Sequence, residues 1–183
     1  DVVGDEMATQ LRVLQDKLPP FSVSEAKRMV ESELGIAVDS LFAEFSEPVA
    51  AASIAQVHKA KLAQSGEIVA VKVLRPNVER DFRKDIDAFY LAASMIELLS
   101  PSSRRLRPMD VITHFEGVVM GELDLRLESA AASEFAANTS NDPGFQLPEV
   151  KWELSGRRVM TLGWAEGVPL GDNDALDAAG IAG

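Results

Sequence analysis

Residues 48–61, PVAAASIAQVHKAK, run toward residues 67–76, EIVAVKVLRP, and the reading of this pair decides the fold. The second segment is a continuous β-branched run, and the first continues to Leu62 with Ile54 and Val57 along it, so both read as strands. Ser65-Gly66 between them is a hairpin signal that pairs the two antiparallel. Upstream, SLFAEFSE (residues 40–47) alternates Leu41, Ala43 and Phe45 against polar neighbours or Phe42, which makes a third strand. Three alanines, Ala50, Ala51 and Ala52, thus occupy the turn of one hairpin, and a lysine flanked by valines, Lys72, stands in the next strand.

Outward from these strands the period becomes helical. Met7, Leu11, Leu14 and Leu18 recur at three- and four-residue steps until Pro19-Pro20 stops them. A second helix runs through Ala26, Met29, Val30 and Leu34, with Gly35 just beyond its end. After Pro76, a third follows Phe82, Ile86, Phe89, Tyr90, Ala93 and Ile96 from Val78 to Leu99. Pro108 opens a fourth, predicted to continue to about Asn138 through Ile112, Phe115, Val119, Leu123, Leu127 and Ala130. At roughly 30 residues it exceeds the usual globular length. Beyond the turn-rich NTSNDPGF, PEVKWEL (residues 148–154), Ser155-Gly156 and RRVMTLGW (residues 157–164) predict another hairpin, and the Ala-rich tail predicts the start of a helix.

The expected organisation is therefore a helical extension over 1–36, an α+β unit over 37–166, and the start of a further lobe over 167–183. The α+β unit has a five-stranded antiparallel sheet, a helix (77–99) inserted after the third strand, and a long helix (108–138). This element order is that of a protein-kinase small lobe, an analogy that carries no function by itself.

Composition narrows the chemistry. A formal charge of −11, from 18 Lys and Arg against 29 Asp and Glu, opposes nucleic-acid binding because phosphate neutralisation is what drives it. There is no cysteine, which removes disulfides, thiolate metal sites and cysteine nucleophiles. His58 and His114 lie too far apart in sequence for a helical metal pair, and no metal site is expected. No segment approaches the roughly 18 apolar residues of a membrane span, and the first ten residues lack a signal-peptide pattern. The basic RRLRP at 104–108 reads as a solvated turn, with lipid headgroups as its alternative partner.

Strand alternation places Val71 and Val73 on one face and the Lys72 ammonium on the other, with Ala70 and Leu74. Taken alone, Lys72 is either a lysine snorkelling from an edge strand or a phosphate-binding lysine held by a carboxylate. Carboxylates are offered by GELDLRLES (residues 121–129), namely Glu122, Asp124 and Glu128. Glu122 and Arg126 equally have the spacing of a surface ion pair, and the alanines equally suit packing at a strand turn.

PVAAASIAQVHKAKL, VAVKVLRP, ELDLRLESAAASEF and LQDKLPPF, in this spacing, closely resemble the UbiB family of atypical kinases, associated with ubiquinone and other isoprenoid-lipid pathways. The resemblance implies a site residue by residue. Ala50, Ala51, Ala52 and Ser53 match the alanine-rich loop that replaces the kinase glycine loop over the nucleotide phosphates. Lys72 matches the phosphate-binding lysine and Glu128 its helix partner, while Glu122 and Asp124 match a Glu-x-Asp signature directed at the active site. Gly163, Trp164 and Ala165 fall where an interlobe hinge meets adenine. The implied cofactors are ATP or ADP, with Mg2+ held by a large lobe.

Departures accompany these matches. The family's Lys-x-Gly-Gln motif is absent from these residues, as are a His-x-Asp-type catalytic loop and an Asp-Phe-Gly metal site. The expectation is a nucleotide-binding small lobe that is not catalytic alone and partners its own large lobe. The alternative is a pseudokinase-like module that docks lipid- or quinone-pathway proteins or a membrane. The expected location is cytoplasmic, peripheral at the inner face of a bacterial membrane, or mitochondrial in a eukaryote.

Overall fold

The computed structural model describes residues 19–168 and 173–180. The helix expected over Met7–Leu18 lies outside them. Ser22 caps α1 (Val23–Leu34) by accepting the Glu25 amide, and Gly35, at φ 69°, ends it in the left-handed region that suits glycine. A single turn, α2 (Val38–Leu41), feeds β1 (Phe42–Ala51), β2 (Ala55–Leu62) and β3 (Ile68–Leu74). The hairpin at Ser65-Gly66 forms as the sequence predicts: Gly66 has φ 73°, and its amide donates to the Leu62 carbonyl.

Helix α3 (Val78–Leu99), a 3-10 turn (Pro101–Leu106) and α4 (Pro108–Glu122) make a hairpin, followed by α5 (Leu125–Asn138). A 3-10 turn (Trp152–Leu154), β4 (Val159–Gly163) and the short α6 (Asn173–Ala178) complete the order. The sheet is antiparallel in the order β1-β2-β3-β4, so β3 is an interior strand. An edge-strand origin for Lys72 is thereby excluded.

Two expectations are corrected. Among the described residues the sheet has four strands, not five, because PEVKWEL contributes only an isolated bridge, Val150 to Leu162. Side chains displace the ladder there: Ser155 Oγ accepts the Thr161 amide, and Thr161 Oγ1 donates to the Leu154 carbonyl, while residues 152–154 coil away. The helix predicted over 108–138 is two helices, broken at Leu123-Asp124. Asp124 is extended and caps α5 by accepting the Arg126 amide, and the Leu125 amide donates to the Arg157 carbonyl instead of to its own helix. The break lets Leu123 and Leu125 both be buried.

The sheet has two unlike faces. Val69, Val71 and Val73 are fully buried with Val30 of α1, Val38 and Val159. On the other side Ala55, Leu74 and Met160 pack with Leu123 and Leu125, with the base of the α3–α4 hairpin, including Phe82 and Val119, against them. Glu33 fastens α1 to the start of β4, accepting from the Arg157 and Arg158 amides and from Arg158 Nε at 2.9 Å. Gly156 permits that approach, since a Cβ there would lie 2.5 Å from Glu33 Oε1. Burial pushes the Glu33 carboxyl up, but the arginine side chain and the two amides outweigh it and hold it below its usual range.

Candidate active site

Lys72 lies between Val57 of β2 and Met160 of β4. Its ammonium projects to the α5 side, where Nζ donates to both carboxylate oxygens of Glu128 at 2.6 Å. Helix α5 presents Glu128 there because Leu125 and Ser129 point into the core and pin its rotation. The Lys72 side chain is 28% exposed and that of Glu128 49%, so the pair is open on one side. A pair this wet contributes little to stability; its effect is to hold an ammonium at one place on an open surface.

Beside it on the same face, Val57, Ala70 and Leu162 are half-buried and make an apolar strip, with Ala70 directly opposite Leu162. Such a strip suits the face of a planar heterocycle. At its margin Gly163 and Trp164 have already committed their amides, to the carbonyls of Glu149 (2.9 Å) and Ile68 (3.1 Å). The Ala165 amide has no such partner among the described residues. Trp164 is fixed further by Lys59, whose Nζ stands 4.4 Å from the ring centroid, and by a bond from its Nε1 to Glu166.

The alanine-rich turn closes β1 onto β2. Ala50 and Ala51 pair with Val57 and Gln56, and the Ala52 amide donates to the Ala55 carbonyl at 2.8 Å, which leaves Ser53 and Ile54 at the tip. Ala50, Ala52 and Ser53 are exposed. None of residues 50–53 has a positive φ, so this turn needs no glycine.

Glu122 and Asp124 part company. Glu122 is exposed at the end of α4 with no ion pair or hydrogen bond among the described residues. Asp124 is taken up by the α5 cap and by Arg126, to which it bonds at 2.9 and 2.6 Å. That guanidinium, ahead of a smaller opposing effect of burial, holds the Asp124 carboxyl below its usual range. Among the described residues no group of three or more His, Cys, Asp or Glu is placed to hold a metal ion, and no helix is long and apolar enough to cross a membrane.

Three residues to which the sequence assigns no place at the site complete the surroundings: Gln56, His58 and Arg75. Gln56 and His58 are buried at alternate positions of β2. Gln56 bonds the Phe21 backbone at both ends, Oε1 accepting from its amide and Nε2 donating to its carbonyl. That fixes the amide orientation, so His58 Nε2, 2.8 Å from Gln56 Nε2, must accept, and Nδ1 donates to the Ser46 carbonyl. Arg75 donates from Nε and Nη2 to the Ala52 carbonyl and from Nη1 to the Pro19 carbonyl. The available signal was a pair of polar residues at i and i+2 flanked by small and apolar ones.

The family described as ABC1 atypical kinase-like domain matches residues 13–183. The chain belongs to this family. Relatives named probable protein kinase UbiB are similar along nearly all of this ABC1 chain. The one from Marinobacter nauticus is 40% identical over 182 residues, covering 99% of this chain and 33% of its own length. The one from Pseudomonas aeruginosa strain LESB58 is 40% identical over 177 residues, 96% of this chain and 33% of its own. That of Shewanella frigidimarina is 39% identical over 181 residues, 98% and 33%. The chain thus spans about a third of the length of the curated relatives it matches.

Proposed function

We propose that these residues form the nucleotide-binding small lobe of an atypical kinase or ATPase of the UbiB kind, acting in isoprenoid-quinone biosynthesis. The observation that carries the reading is the bidentate 2.6 Å contact of Lys72 with Glu128 on an open face. An ammonium held in this way needs no rearrangement to receive phosphate oxygens, and the strip of Val57, Ala70 and Leu162 receives the adenine. The Ala165 amide is the hinge donor, because those of Gly163 and Trp164 are committed. Residues 50–53 cover the phosphates. Glu122, at the end of α4 and unpartnered among the described residues, is the member of the Glu-x-Asp pair left to serve the site, and Asp124 builds the corner beside it.

ATP would supply the phosphoryl group and Mg2+ would be held by a kinase-type large lobe, while Lys72, Glu128 and residues 50–53 would bind one side of the nucleotide. The test is titration of ATP and ADP into the full-length protein. Glu128→Gln is expected to weaken both by about tenfold, by releasing Lys72 from its position. Unchanged affinities would end the assignment.

A second reading, a docking module for a membrane or lipid-pathway proteins, is favoured by one observation. Leu91, Leu98, Leu99 and Leu106 on the α3–α4 hairpin are each more than half exposed. Full nucleotide affinity in a variant with all four changed to Ser, together with loss of sedimentation with membranes, would assign the hairpin that separate role.

A further inference from the structure

The alanine-rich turn is anchored to the segment that leads into α1 by two sets of contacts that converge on Pro19–Phe21. The first is Arg75, the residue directly after β3. Its guanidinium donates twice to the Ala52 carbonyl, at 3.1 and 3.0 Å, and once to the Pro19 carbonyl at 3.0 Å. Its Cζ stands 6.0 Å from the centre of the Phe21 ring, and its own amide donates to the Ile54 carbonyl at the tip of the turn. The second route passes through the core. Phe21 is bonded by Gln56 on both backbone groups, Gln56 bonds His58, and His58 bonds the Ser46 carbonyl in the irregular stretch of β1 that precedes the alanines.

We propose that Arg75 is the positioning residue of the alanine-rich turn and couples it to Pro19–Phe21, so that the turn and the segment that leads into α1 hold or release together. The proposal rests on the reading of the turn as the cover of the nucleotide phosphates, and it adds to that reading a route by which displacement of the extension reaches the nucleotide. Arg75 suits the role because its planar fork meets two carbonyls at once. A lysine carries its three donors on a single nitrogen and lacks the spread of a guanidinium fork, so it does not reproduce the same pair of contacts. With three alanines and no glycine the turn is stiff, so fixing Ala52 fixes the positions of Ala50 and Ala51 as well.

The experiment is hydrogen exchange on the full-length protein, wild type and the variants Arg75→Ala, Arg75→Lys and Gln56→Ala, with and without ADP. The amides of Ala52 and Phe21, bonded to Ala55 and Gln56, are the reporters, and those of Val69–Val73 control for the fold. Arg75→Ala should speed exchange at both reporters by at least about tenfold, leave the controls unmoved, and weaken ADP binding by about tenfold. Arg75→Lys should fail to restore the coupling, and Gln56→Ala, which leaves Arg75 in place, should loosen Ala52 as well as Phe21. Faster exchange at only one reporter in Arg75→Ala overturns the coupling. So does weaker ADP binding with both reporters still protected, which would make Arg75 a direct ligand of the nucleotide. Coupled exchange in a protein that binds no nucleotide would leave the clamp standing and remove the function assigned to the turn.

Discussion

The two faces of β3 are made by alternate residues of one seven-residue strand and have opposite characters. Val69, Val71 and Val73 have no solvent exposure and are sealed under α1, whereas Ala70 and Lys72, between them in sequence, are half-buried on the other side. The sealed face can change little without loss of packing, because its neighbours are fixed from both sides. The open face carries a charged pair that contributes little to folding and is therefore free to serve a ligand. On the proposed function, strand alternation places stability and chemistry one residue apart.

The sharpest way to break this comparison is to exchange the consequences of adjacent substitutions. Lys72→Ala in the full-length protein should abolish ATP turnover while changing unfolding stability by less than about 1 kcal/mol, since the ion pair it removes is exposed. Stopped ATP hydrolysis with an unmoved denaturation midpoint is the expected result. Retained hydrolysis would take the chemistry off this face.

Next in size, Val71→Ala should lower stability by about 2 kcal/mol through the cavity it leaves under α1, with nucleotide affinity of the folded protein unchanged. Urea denaturation and ADP titration on the same sample separate the two. A stability loss well under 1 kcal/mol would mean that the sealed face relaxes as easily as the open one.

The same alternation explains what could be read from sequence. Lys72 was legible because its flanking valines declare their face, and Glu128 was legible as a candidate because it follows the strand at the spacing of a known family. The break at Asp124 was not, since Val119, Leu123 and Leu127 keep their helical period straight across it. It depends on a cap and on a bond from the Leu125 amide to Arg157, more than thirty residues away, which local pattern does not contain. Around β2 the sequence drew attention to Ile54 and Val57, yet the large side chains buried on the strand are Gln56 and His58, beside the small Ala55 and Ala60. Polar residues at i and i+2 read as a solvent face unless the backbone of Phe21, which satisfies them, is already in view.

That buried polar pair gives the sealed face a pH dependence. Burial, ahead of the opposing effects of the Ser46 carbonyl and Glu47, pushes the His58 imidazole below its ordinary range. Protonation would also set a donor against Gln56 Nε2. The unfolded chain therefore takes up the proton first, and stability should fall as pH drops below about 6.5, until the folded imidazole itself titrates. Denaturation midpoints between pH 8 and pH 5 would follow this loss, with a slope of at most one proton. His58→Asn, less stable throughout, should lose that slope, and a slope that survives in it would belong to another group.

The smallest effect tests the rim of the open face. Ala51 ends β1 opposite Gln56 at a negative φ, so a glycine there gains no conformation that the fold uses and adds freedom to the unfolded chain. Ala51→Gly should therefore lower stability by no more than about 1 kcal/mol. If the turn covers the nucleotide, the same change lets its amides approach phosphates that the alanines keep at a distance, and the ratio of ATP to ADP affinity should shift even though the fold has barely moved. Two calorimetric titrations on wild type and variant decide the matter. An unchanged ratio would make the alanines packing for the clamp formed by Arg75 and Gln56, and would leave Lys72 and Glu128 to discriminate nucleotides alone.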